Sequence, residues 1–280
     1  STGVHDPLLT RVVLLKASDS LIALVEIDLL GCPEYLCSAV ETSIKNKLPE
    51  VTGVQIGAIH THAAPQSVFQ TFASFDPDYL SWIADQAAEA ALQAKEDLHP
   101  VKLGISQVEI DGIGSFRDVS RDQSRFAMPV QVIWLKASEQ ERGHTAPIAL
   151  CLFACHPTVL SEQNLLISRD LIWGCDQGLS ELAEKSGTRM PRVLYMNGAC
   201  ADISTRYTRS TSSFEEALRL GKRLAAAIVS AIWYTIIDFF DTIYNMTYTG
   251  FLKLFAICEN DYQYISLNGK KRLNAFLCLF

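Results

Sequence analysis

Val54-Gln55-Ile56-Gly57-Ala58-Ile59-His60-Thr61-His62-Ala63-Ala64-Pro65 begins as an apolar run of strand length and ends in two imidazoles two residues apart. The same arrangement recurs twice. Residues 148–154 run into Cys155-His156-Pro157, and residues 193–196 run into Asn197-Gly198-Ala199-Cys200-Ala201-Asp202-Ile203-Ser204. In an open α/β sheet the carboxyl ends of neighbouring strands face one crevice, so residues distant in sequence can share a site there. Three strand exits carrying histidines and a small-residue turn therefore point to metal-assisted hydrolysis.

The segments around these exits fit that architecture. Residues 11–15 and 21–29 flank the turn formers Ala17-Ser18-Asp19-Ser20 and predict a hairpin. Residues 34–48 have helical spacing. Asp76-Pro77 supplies an N-cap and a first-turn proline for a helix running to about Asp97. Residues 101–110 and 130–135 read as strands, the polar residues 139–144 as a solvated turn, and residues 170–185 as a helix. Ser213 followed by Glu216 fits a capping box that opens a helix from Phe214 to about Ser230. Strands interleaved with helices predict an α/β layered fold: a mixed β-sheet flanked by helices, with the site at the strand carboxyl ends.

Composition narrows the partners. With 31 acidic against 24 basic residues the formal charge is −7, and no basic stripe of the kind that tracks a phosphate backbone appears. A nucleic-acid partner is not expected. The eight cysteines form no C-x-x-C pair, and several lie within apolar runs, which suits reduced, packed thiols. The longest uncharged stretch near the C-terminus, residues 224–237, is shorter than the roughly 18 to 20 apolar residues of a spanning helix. The chain opens at Ser1 without a methionine, so a removed or missing leading segment is expected, and cytoplasmic and secreted locations both stay open.

Each cluster carries its own chemistry. His60 and His62 can point to one side of an extended strand exit, either both on one zinc ion or one as ligand and the other in proton transfer. Pro157 pushes His156 toward extended geometry and holds its imidazole at the strand end. Asp202 and Ser204, two apart, would share a face beside backbone amides that can approach a substrate oxygen. Arg117, after the Gly112-Ile113-Gly114-Ser115-Phe116 exit, could hold a carboxylate or oxyanion. Asp28 is a candidate for orienting a ligand histidine.

Taken in order, Gly3-Val4-His5-Asp6-Pro7-Leu8, the Asp28-Leu29-Leu30-Gly31 exit, His60 to Pro65, Gly112 to Arg117, Ala154-Cys155-His156-Pro157-Thr158 and Asn197 to Arg206 resemble the N-terminal catalytic domain of neutral, non-lysosomal ceramidases over about residues 1–230. The resemblance implies a zinc-dependent amidohydrolase acting on the N-acyl amide of ceramide or a related lipid, with peripheral membrane contact for substrate access. It carries the zinc ligands onto His60 and His156. It assigns carbonyl assistance to His62 and Arg117, and places the family's serine at Ser204, next to Asp202.

The sequence departs from that family at Ala201, where the family has glycine, and at Thr205, where it has proline. The glutamate and tyrosine that complete the family's zinc shell downstream have no counterpart in matching context, although Glu259, Tyr262 and Tyr264 are present. The last 50 residues hold 12 of the 26 aromatics and none of the strand-then-motif pattern. Residues 231–280 are therefore expected to be foreign to the domain of residues 1–230, through truncation or a frame shift. Under that expectation the alternative function is a non-catalytic remnant or lipid-binding module with an incomplete zinc shell.

Overall fold

The computed structural model describes residues 1–68, 75–122, 126–137, 146–245, 263–267 and 270–274. The solvated turn expected at residues 139–144, together with Glu259 and Tyr262, lies outside them. In chain order the elements are β1 (Gly3–Val4), β2 (Thr10–Ala17), β3 (Ser20–Ile27), α1 (Glu34–Lys47), β4 (Gly53–Ala58), α2 (Pro77–Glu96), β5 (Val101–Asp111), β6 (Ser115–Phe116), β7 (Ala127–Ala137), β8 (Ile148–Phe153), β9 (Leu166–Ile167), α3 (Leu171–Ser186), β10 (Arg192–Asn197), β11 (Ile203–Ser204), α4 (Phe214–Asn245), β12 (Gln263–Leu267) and β13 (Lys270–Asn274). The chain divides into a unit of residues 1–233 and a second of residues 234–280, in which β12 and β13 form an antiparallel hairpin.

Two mixed sheets organise the first unit. In one, β2 and β3 form the expected hairpin and β4 adds parallel to β3. The two-residue connection of that hairpin sets Ser18 at φ 50°, the positive φ that tight hairpin turns need. A parallel neighbour requires a crossover, which α1 supplies. In the other sheet the order is β10-β8-β7-β5, with β8 and β10 parallel and the rest antiparallel. The α/β layered arrangement of mixed sheets and helices is thus as expected, divided between two sheets.

Apolar spacing explains the packing. Leu36, Val40 and Ile44 recur every fourth residue on α1 and are fully buried, joined by Leu80, Ala84, Ala87, Ala88 and Ala91 of α2 over the β2-β3-β4 sheet. Burying a side chain such as Leu36 or Ile44 contributes about 1.5–3 kcal/mol. A second cluster of Val13, Leu135, Leu150 and Leu194 draws on strands of both sheets. Asp76 caps α2 as expected, its carboxylate accepting from the amides of Asp78 and Tyr79.

Two helix expectations need correction. Ser213 Oγ accepts from the Glu216 amide, but the Glu216 carboxylate accepts from the Ser210 amide and from Arg219 instead of reaching back to Ser213. Half of the capping box forms, because the 210–213 turn brings a nearer donor. The helix it opens also runs past Ser230 to Asn245, since no proline or glycine interrupts residues 222–245.

Candidate functional site

The strand exits do converge. His60 follows the end of β4, His156 follows β8, and β10 beside β8 delivers Asn197. His60 has φ 71°, a left-handed conformation uncommon for a residue with a side chain, which turns the chain out of the strand line. Its ring centroid lies 4.6 Å from that of His156 and 5.1 Å from that of His62, and His62 and His156 are 5.9 Å apart. The nearest ligand nitrogens of the three all fall within 4.8 Å of one another.

Backbone carbonyls decide how two of the rings present themselves. His60 Nδ1 is 2.7 Å from the Leu30 carbonyl, and His156 Nδ1 is 2.7 Å from that of Cys200 and 3.2 Å from that of Ile203. A carbonyl only accepts, so each Nδ1 carries a proton, and Nε2 is the atom of each ring available to ligate. His62 is the exposed member of the three, and partial desolvation of its ring first, then the neighbouring His60, His156 and Arg117, depress its pKa to about 4. Burial also lowers His156, with Arg117 and His60 adding to it against the pull of its carbonyl partners. Three imidazoles converging on one point suit a borderline cation such as zinc.

The other motifs surround this centre. Gly112, at φ 65°, turns the chain into β6, which pairs antiparallel with β11, so the Arg117 and Ser204 motifs lie side by side. The Arg117 amide donates to the Asp202 carbonyl at 2.7 Å. Arg117 Nε is buried with no hydrogen-bond partner among the described residues. Ser204 is 1% exposed and bridges to His156, whose amide donates to the Ile203 carbonyl at 3.1 Å. Its Oγ accepts from the Arg206 amide, capping a short 3-10 turn over Thr205–Tyr207. An open cleft of about 290 Å³ borders the centre, lined by His60, Leu30, Gly31, Asn197, Gly198 and Cys200 among others.

Two sequence expectations are not met. Asp202 and Ser204 do not share an environment: the Asp202 side chain is 55% exposed and is held at 2.8 Å by Arg121, itself stacked over Phe116. The two-residue strand β11 is too short to impose a common face on both. Among the described residues Asp28 orients no histidine, since Leu30, Cys200 and Ile203 carbonyls fill that role for His60 and His156. It is buried beside Arg11 and Arg169 and accepts from the Leu9 amide, and burial pushes it up to about 6. The described cysteines are free thiols, and Cys151, Cys155 and Cys175 are buried, as the apolar runs suggested.

What the sequence reading missed is the carbonyl set. The resemblance put His62 outside the ligand set, whereas the geometry groups it with His60 and His156. The H-x-H spacing had left both arrangements open, a shared ion or one ligand with one proton-transfer group.

An α/β fold of mixed sheets that gathers three imidazoles at its strand exits defines a candidate mononuclear metal site. No protein-family model and no curated protein matches the chain. Among solved structures, the chain has the fold of neutral ceramidase from Pseudomonas aeruginosa, with a TM-score of 0.68 and 18% identity over 82% of this chain and 40% of that one. A ceramidase complexed with C2 matches with a TM-score of 0.65 and 19% identity over 82% and 39%. The chain resembles these ceramidases in fold and spans about two fifths of their length.

Proposed function

We propose that residues 1–230 form a zinc-dependent amidohydrolase domain that acts on the N-acyl amide of ceramide or a related lipid. The observation that carries this reading is the convergence of His60, His62 and His156, ligand atoms within 4.8 Å of one another, on a fold shared with neutral ceramidases. His60 and His156 would hold the ion through Nε2, with His62 as a third ligand or as the proton-transfer group that the resemblance assigns. Zinc in such a site supplies Lewis acidity for an amide carbonyl and for water.

The chain's own groups account for the rest. The buried, unpartnered Nε–H of Arg117 is a donor suited to negative charge developing on the carbonyl oxygen. His62, held neutral, can take a proton from water and return it to the departing amine. Ser204 accepts from the Arg206 amide and retains its own hydroxyl proton to donate. Asp202, turned to Arg121, serves to fix the β6–β11 turn that carries Arg117.

Zinc content of purified protein, measured by elemental analysis beside His60→Ala, tests the metal reading. About one zinc per chain in the parent and a clear loss in the variant are expected. Equal zinc in both would refute it. A second reading, a ceramidase-like fold that binds lipid without turnover, is favoured by the candidate ligand set, which among the described residues holds three imidazoles and no carboxylate. Release of fatty acid from a short-acyl ceramide, abolished in His60→Ala, would eliminate it.

A further inference from the structure

The residue between the two histidines of the H-T-H turn faces the other way, into the protein. Thr61 is fully buried, and its hydroxyl donates to the Ser168 carbonyl at 2.8 Å while accepting from the Ala63 amide at 3.2 Å. The Ser168 amide returns a bond to the Ala63 carbonyl at 2.9 Å, so the turn is stitched to residue 168 from both sides. With Thr61 held on the protein side of the turn, the rings of His60 and His62, 5.1 Å apart, both lie beside His156.

Ser168 is anchored in turn. Its hydroxyl donates to Asp6 at 2.5 Å and accepts from the Asp170 amide at 2.9 Å. The other Asp6 oxygen accepts from the Arg169 amide at 3.0 Å and from its Nε at 3.1 Å. Asp6, Ser168 and Arg169 are all buried. Arg169 continues to Asp176 on α3 and approaches Asp28 at the exit of β3. The N-terminal segment and residues 166–170 thus form a rigid seat for a turn that contains the left-handed His60.

We infer that the Asp6–Ser168–Thr61 chain of hydrogen bonds sets the placement of His60 and His62 as metal ligands, making Thr61 and Asp6 positioning residues for the metal centre. This rests on the three-imidazole metal reading above. Neither residue touches the ion. Replacing the hydroxyl with a methyl of the same shape strands a buried carbonyl and a backbone amide, and the turn relaxes where both imidazoles are attached. Partners that orient metal ligands in this way typically govern affinity by about 10–100-fold.

Cobalt(II) titration followed by visible absorption, with zinc competition, tests this on the full chain, its Thr61→Val, Thr61→Ser and Asp6→Asn variants, and His60→Ala. Thr61→Val should bind about 10–100-fold more weakly and show an altered cobalt spectrum at saturation, Thr61→Ser should restore both, and Asp6→Asn should weaken binding in the same direction. A purely structural role for Thr61 would lower the melting temperature and leave the saturated cobalt spectrum unchanged. A folded Thr61→Val with parental affinity and spectrum overturns the inference. If Thr61→Val does not fold, unchanged affinity and spectrum in Asp6→Asn overturn it instead. Failure of the parent chain to bind cobalt or zinc any better than His60→Ala overturns the metal reading, and this inference falls with it.

Discussion

At the scale of single residues, each imbalance at the centre has a nearby cause. His60 and His156 donate their Nδ1 protons to carbonyls, and the exposed His62 is pressed toward neutrality by partial desolvation of its ring and by its neighbours His60, His156 and Arg117. The nitrogen resonances of His62 should therefore titrate with a midpoint near pH 4. A midpoint near the ordinary imidazole value of about 6.5 would contradict this. The sign for stability follows. Between about 4 and 6.5 the unfolded chain binds a proton that folded His62 refuses, so this contribution is complete above about pH 6.5 and is lost as pH falls toward 4. Arg117 carries a separate expectation. Arg117→Ala should lower kcat/KM on a short-acyl ceramide by roughly 100-fold or more, as loss of an oxyanion donor does elsewhere, with zinc content unchanged. Unaltered turnover would remove Arg117 from the chemistry.

At the scale of elements, α3 and α4 cross so closely that glycines are required at the contact. A Cβ added to Gly174 would sit 2.1 Å from the Ala217 carbonyl oxygen, and one added to Gly221 would sit 2.2 Å from the Gly174 carbonyl carbon. Both obstacles are backbone, so the helices themselves must separate. Gly174→Ala should destabilise the protein by about 1–3 kcal/mol in urea unfolding, despite alanine's better helix propensity of about 1 kcal/mol. Gly57→Ala on β4 has nothing within 4 Å of the new methyl and should stay within about 0.5 kcal/mol of the parent. Equal effects at the two positions would mean that the crossing is not tightly packed. The contact matters for the site because α3 follows directly from residues 168–170, which seat the H-T-H turn.

At the scale of the whole molecule, the chain divides at residues 233 and 234, close to the change of composition at residue 231. We propose on that basis that residues 1–230 are the working domain and that the aromatic tail is foreign to it. A chain ended after Trp233 should keep cooperative thermal unfolding and the zinc content of the full chain. Loss of both would show that the tail belongs to the fold. Among the described residues no helix is long and apolar enough to cross a membrane, as the length of the uncharged stretch indicated.

Local chemistry was legible before any coordinates. The Asp76-Pro77 start of α2, the β2–β3 turn, the every-fourth-residue stripe of α1 and the strand exits all depend on neighbours within a few residues, and the amino-acid order contains those neighbours. What it left open depended on partners far along the chain. Asp28 looked available to a histidine until Arg11 and Arg169 closed on it, and Asp202 looked paired with Ser204 until Arg121 took it. Glu216 found Ser210 before Ser213. The sequence by itself determined an α/β layered chain with histidines at its strand exits. Only the tertiary structure decided that rings 96 residues apart meet at 4.6 Å, and that Asp6 and Ser168 seat the turn that carries His60 and His62. The reason is physical: a short-range preference is written in adjacent residues, whereas the partner of a buried polar group is whichever donor or acceptor the packing of the whole chain delivers.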